Sequence, residues 1–230
     1  MVTHSTSEIA PATEAVPDSE GSPKLLLGEE RVILHPIGWK TFEQLLAEVG
    51  ESRSTRFHYW RERLEIMSPL APHEGSNRFL ESLIVAVAEE WNLNLRQLGS
   101  WTMRRPDLQV GAEPDSCYYI QNEPLVRHKE EIDLASDPPP DLVVEIDITN
   151  PSQRRFPIYA QLGVPEIWQY NGRTLQYFQR QGDTYCPVVE SLSFPGLPAS
   201  ILQEFLEKRL ILGEIPALRQ FREWARQQIR

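Results

Sequence analysis

Residues 139–149 read Pro-Pro-Asp-Leu-Val-Val-Glu-Ile-Asp-Ile-Thr and alternate with a period of two. Successive side chains of an extended strand point to opposite faces. Leu142, Val144, Ile146 and Ile148 therefore share one face, and Asp141, Val143, Glu145 and Asp147 the other. The apolar face has to be covered by the rest of the chain. The acids repel one another and need either solvent or a positive counter-charge. A half-exposed strand with a solvated acidic face meets that need. A divalent cation held between the acids meets it as well.

The other elements follow from spacing. Arg31 to His35 reads as a short strand, and Trp39 to Val49 as an amphipathic helix with Thr41 as N-cap and Gly50 as its stop. Phe57 to Met67 predicts a hairpin turning at Arg61-Glu62. His73 to Leu93 carries a helical stripe of Phe79, Leu80, Leu83, Ile84, Val87 and Trp91, which belongs to a core. Strands are expected at Leu98–Arg104 and Asp115–Ile120, with a polar excursion from Gln121 to Pro138. Pro157 suits the first turn of a short helix that Gly163 ends. Asn171-Gly172 marks a hairpin between Glu166–Tyr170 and Thr174–Arg180, with a further strand at Thr184–Glu190. Helices at Ala199–Lys208 and Ile215–Arg230 complete the chain. This order predicts an α/β (α+β) domain over 25–212, built on a central mixed β-sheet flanked by helices and with antiparallel hairpins. A C-terminal helix follows over 213–230. Residues 1–24, rich in Ser, Thr, Glu, Ala and Pro, are expected to form a disordered tail.

Composition excludes several functions. A net charge of −10 argues against non-specific coating of nucleic acid, which needs a basic surface, although metal-binding acids would add to such a charge. Cys117 and Cys186, with no C-x-x-C pair, support neither a zinc ribbon nor a disulfide framework. The five histidines show no zinc-ligand spacing. The chain has no apolar run of membrane-spanning length and does not open like a signal peptide. The expected setting is reduced and cytoplasmic, away from membranes.

Candidate chemistry gathers on two segments. Asp115 follows Glu113-Pro114, and Glu145 sits mid-strand thirty residues later. If their strands are neighbours, the two carboxylates can hold Mg2+ or Mn2+, which lowers the pKa of a bound water and offsets charge on a phosphate. Glu74, near a helix start, reads equally as a favourable N-terminal charge or as part of a site. His73 either orients a ligand or caps its loop. Tyr159 and Trp168 read as core aromatics, and Arg219, Arg222, Arg226 and Arg230 as a solvated helix face.

Four stretches taken together resemble the Uma-type family of restriction endonucleases: L-E-I-M-S-P-L-A-P-H-E (64–74), G-A-E-P-D-S-C-Y-Y-I (111–120), P-P-D-L-V-V-E-I-D-I-T (139–149) and R-F-P-I-Y-A-Q-L-G-V-P-E-I-W (155–168). The resemblance covers roughly residues 30 to 200. It implies the restriction-endonuclease-like fold of the PD-(D/E)XK superfamily and a metal-dependent phosphodiesterase site acting on DNA. It implies Asp115 as the Asp of Pro-Asp, Glu145 as the acid of (D/E)XK, and Glu74 as a helix-borne acid completing the site. Asp115, Glu145 and Asp147 would be the metal ligands. A homodimer is expected, since a duplex presents two strands.

The chain departs from that pattern at one position. Asp147 stands where the lysine two residues after the acid is usual. Relatives that lack this lysine often carry one four residues before the Tyr-Ala pair, and here that place is Arg155. Arginine stays charged and cannot act as a base, but it can stabilise a phosphate. Water activation would then rest on the metal, with Asp147 as an added ligand or proton acceptor. Two other readings stay open. One is a catalytically lapsed binding or assembly module that keeps the fold. The other is a glycosidase acid–base pair, although no aromatic sugar platform is seen beside the acids.

Overall fold

The computed structural model describes residues 30–50, 55–68, 71–148 and 152–228. The expected tail over 1–24 and the turn at Asn150-Pro151 lie outside them. Among the described residues the order begins with β1 (Glu30–Leu34), α1 (Trp39–Val49), β2 (Arg56–Trp60), β3 (Arg63–Ser68) and α2 (Ala71–Glu90). It continues with β4 (Arg96–Gln97), β5 (Met103–Arg105), β6 (Val110–Ala112), β7 (Ser116–Tyr119), α3 (Glu123–Val126) and β8 (Leu142–Ile146). A 3-10 turn over Ser152–Arg155 runs into α4 (Phe156–Leu162). β9 (Glu166–Tyr170), β10 (Leu175–Gln181), β11 (Thr184–Val188), α5 (Ala199–Leu212) and α6 (Glu214–Gln228) follow.

The strands form two sheets. The mixed sheet has six strands in the order β11-β10-β9-β8-β7-β4. Its parallel pair, β8 with β9, is joined through α4, as a parallel connection requires. The second sheet, β1-β3-β2-β6-β5, is antiparallel throughout. Helices cover both sheets, so the mixed α/β architecture expected from the sequence is present, with a second sheet beside the central one.

The alternation along β8 decides what lies on each side of the mixed sheet. Leu142, Val144 and Ile146 join Leu80, Leu83, Ile84 and Val87 of α2, Phe205 of α5 and Phe221 of α6 in one core. Within it Trp168 stacks on Tyr177 at 4.6 Å. Val143 faces the other way, into a second core with Cys117, Ile167, Tyr159 and Leu162, and with Met103 and Val110 of the second sheet. Helix α4 thus lies between the sheets. A third cluster packs Phe42 of α1 on Phe57, Tyr59 and Leu64. Close approach there depends on Gly111, where an added Cβ would meet the Phe42 ring at 2.8 Å.

Some local expectations change. Thr41 is not the N-cap of α1: Gly38 holds that position, and its carbonyl already accepts the Thr41 and Phe42 N–H groups at 3.0 and 3.2 Å. Of the strand expected over 98–104 only Met103 and Arg104 are extended, in β5; β4 lies just before it, and Gly99 between the two takes a φ of +56° that breaks extended pairing. The excursion after β7 includes the short helix α3. The arginine face of α6 is partly tied down: Arg222 and Arg226 pair with Glu90 of α2 at 3.2 and 2.7 Å. No helix among the described residues is long and apolar enough to cross a membrane.

Candidate active site

Strand register sets the geometry. β7 runs antiparallel to β8, with Ser116 opposite Val144, Cys117 opposite Val143 and Tyr118 opposite Leu142. One step beyond, the same register sets Asp115 across from Glu145, and directly opposed residues of an antiparallel pair share a face. The polar face is not solvated. Asp115, Glu145 and Asp147 are 4%, 1% and 5% exposed, since α4 and the second sheet cover them.

Each carboxylate is held differently. Asp115 Oδ2 accepts the Ile146 N–H at 2.8 Å. Glu145 Oε2 accepts Arg155 Nη1 at 2.7 Å, and its other oxygen accepts the Tyr159 hydroxyl. Asp147 Oδ2 accepts the Ser152 N–H at 2.6 Å and an N–H of Gln169. Asp147 Oδ1 is buried and has no hydrogen-bond partner. Arg155 Nη2 lies 4.0 Å from it.

Arg155 ends the 3-10 turn and is itself buried. Its three nitrogens face three acids: Glu145, Asp147 and, from Nε at 3.6 Å, Glu65 Oε1 on β3. His58 on β2 completes the cluster, with Nε2 3.5 Å from Arg155 Nη1 and 4.0 Å from Glu145 Oε1.

Burial dominates the electrostatics. It pushes Asp115 well above the usual carboxylate range, against the pull of the Ile146 N–H, Arg155 and Arg56. Burial also raises Glu145, opposed by Arg155 and reinforced by Asp115 and Asp147. It lowers His58, together with the positive charges of Arg155, Arg56 and Arg63, so the imidazole is neutral. The Tyr159 hydroxyl is raised by burial and by Glu145, which keeps it a donor.

The structure therefore brings Asp115, Glu145, Asp147 and Arg155 together. Glu74 is 38% exposed at its side chain and paired with Arg78 at 2.8 Å. The His73 side chain is outside the described residues. Helix α2 reaches the site through Asn77 instead, which donates to the Asp115 carbonyl and accepts from Ser116 Oγ. Sequence reasoning missed Glu65, His58 and Asn77. It took Tyr159 only as a core aromatic, whereas its ring is core and its hydroxyl belongs to the site.

The donors are suited to a hard cation, being oxygens with one buried, unmet Asp147 atom among them. As they stand, the described residues include no group of three or more acids, histidines or cysteines placed so that it could hold a metal ion. Arg155 lies among the acids instead.

The sequence model of a family described as "Putative restriction endonuclease", Uma2, matches residues 39–211. Among solved structures, one described as "a putative nuclease belonging to DUF820", from Anabaena variabilis, is 18% identical with a TM-score of 0.49. That match covers 74% of this chain and 99% of the other. No curated protein matches the chain.

Proposed function

Because the chain belongs to the Uma2 family, whose model spans residues 39–211, we propose that it is an endonuclease hydrolysing phosphodiester bonds in DNA. The observation that carries this reading is the register setting Asp115 across from Glu145, with the unmet Asp147 Oδ1 in the same buried cluster. Asp115, Glu145 and Asp147 would hold Mg2+ or Mn2+ through oxygen. Such an ion, when bound, acidifies a water and offsets charge on the phosphate.

The chain's own groups do the rest. The Ile146 N–H orients Asp115, and Tyr159 orients Glu145. The Ser152 N–H and Gln169 hold Asp147 with Oδ1 left over as a third oxygen ligand. Arg155, permanently charged, offsets the crowded acids. Two chains acting together would reach both strands of a duplex.

The test is cleavage of plasmid DNA with Mg2+ or Mn2+. Asp115→Ala and Glu145→Ala should each abolish cutting while circular dichroism shows the fold retained. Metal-dependent cutting that survives both changes would remove this mechanism.

A second reading, a non-catalytic module keeping the fold, draws on the 2.7 Å Arg155–Glu145 pair, which already supplies a counter-charge. It expects no cleavage of any nucleic acid and no heat of Mg2+ or Mn2+ binding.

A further inference from the structure

We infer that Arg155 competes with the divalent cation for Glu145 and Asp147, and that Glu65 is the acceptor onto which Arg155 moves when the cation enters. This rests on the metal-dependent reading above. Of the three acids facing the guanidinium, only Glu145 takes a hydrogen bond from it, at 2.7 Å. Glu65 is 1% exposed, and neither of its oxygens has a hydrogen-bond partner. It faces only charges at ion-pair distance: Arg63 at 3.1 Å, Arg31 at 3.6 Å and Arg155 Nε at 3.6 Å.

A buried carboxylate without hydrogen bonds is costly, and a guanidinium fork is the group best shaped to meet both its oxygens. Closing the Nε–Oε1 gap from 3.6 Å to an ordinary hydrogen-bond length of about 2.9 Å is a shift of under an ångström or so. Full transfer of the guanidinium onto Glu65 would release Glu145 Oε2 from its 2.7 Å bond. Asp147 Oδ1 is already unmet on the other side. The charge balance favours keeping Arg155 in the cluster: with Arg63 and Arg31 already beside Glu65, the three acids Asp115, Glu145 and Asp147 are better compensated by a divalent ion plus a guanidinium than by either alone. Glu65 thus acts as a positioning residue, through Arg155.

The experiment is Mn2+ titration calorimetry, with melting curves with and without Mn2+, on the full chain and on Glu65→Gln, Arg155→Met and the double variant. Arg155→Met should bind Mn2+ about tenfold more tightly and show the larger Mn2+-induced rise in Tm. Glu65→Gln should bind about tenfold more weakly, and in the Arg155→Met background the same change should be silent. Should Arg155→Met not fold, Arg155→Gln takes its place. Unchanged affinity in both single variants overturns the competition while leaving the metal site standing. Equal weakening by Glu65→Gln in both backgrounds makes Glu65 a ligand and overturns its acceptor role. Absence of Mn2+ binding in every variant removes the metal site and this inference with it.

Discussion

The Asp115 carboxylate accepts a 2.8 Å hydrogen bond from the Ile146 N–H, so the acid before β7 is fastened to the residue that follows Glu145. Asparagine keeps an oxygen that can accept this bond, and alanine does not. Asp115→Ala should therefore lose about 1–3 kcal/mol, the cost of leaving a buried donor unmet. Asp115→Asn should stay within about 1 kcal/mol of the parent in urea unfolding. Both should lose cleavage, and an Asn variant cutting at the parental rate would take Asp115 out of the reaction.

Removing the two partners of the buried ion pair should not be equivalent. Arg155→Ala leaves Glu145, Glu65 and Asp147 facing one another, and breaking a buried pair in this way costs about 3–5 kcal/mol. Glu145→Gln leaves Arg155 with Glu65 and Asp147 still beside it and should cost less. Denaturation in EDTA checks the ranking, and a costlier Glu145→Gln would contradict it.

Tyr159 separates packing from polarity. Tyr159→Phe keeps the ring in its core and removes only the hydroxyl bonded to Glu145. Leaving a buried acceptor unmet costs about 1–3 kcal/mol, which is the loss expected in Cm-based stability at neutral pH. No change in Cm would mean that the hydroxyl does not support Glu145.

The two thiols should differ in reactivity. Burial pushes the Cys117 thiol up to about 12, whereas Cys186 is only half-buried. At pH 8 one thiol should react quickly with Ellman's reagent and the second only after guanidinium is added. The unfolded chain releases the Cys117 proton near its ordinary value of 9.0 and the folded chain does not, so alkaline pH above that value favours unfolding. Two fast thiols in the native protein would place Cys117 outside the core.

What could be read from the sequence was periodic or local. The period-two pattern of 142–148 assigns Leu142, Val144 and Ile146 to one core and Glu145 to the opposite face, as observed. The Asn171-Gly172 turn and the Pro157 and Gly163 ends of α4 were equally local signals. Glu65 and His58 carry no such mark. They reach the acids only because the second sheet packs across α4, a juxtaposition of residues 80 or more positions apart. Tyr159 was half legible, since a tyrosine in an apolar helix looks like core until its hydroxyl's partner is known. Asp141 was grouped with the acids of its strand, yet it anchors backbone instead, accepting the Ile120 and Asn122 N–H groups at 2.6 and 2.9 Å.

The β7–β8 ladder leaves little freedom for change in chain length. Deleting one residue within 116–119 or 142–146 would turn that strand over, sending its acid toward the α2 side and its aliphatic side chains into the polar pocket. The stretch between the anchored Asn122 and Asp141, residues 123–140, is under no such parity. It can grow or shrink by odd or even numbers and leave both carboxyls aimed as they are, so length variation among related chains should collect there.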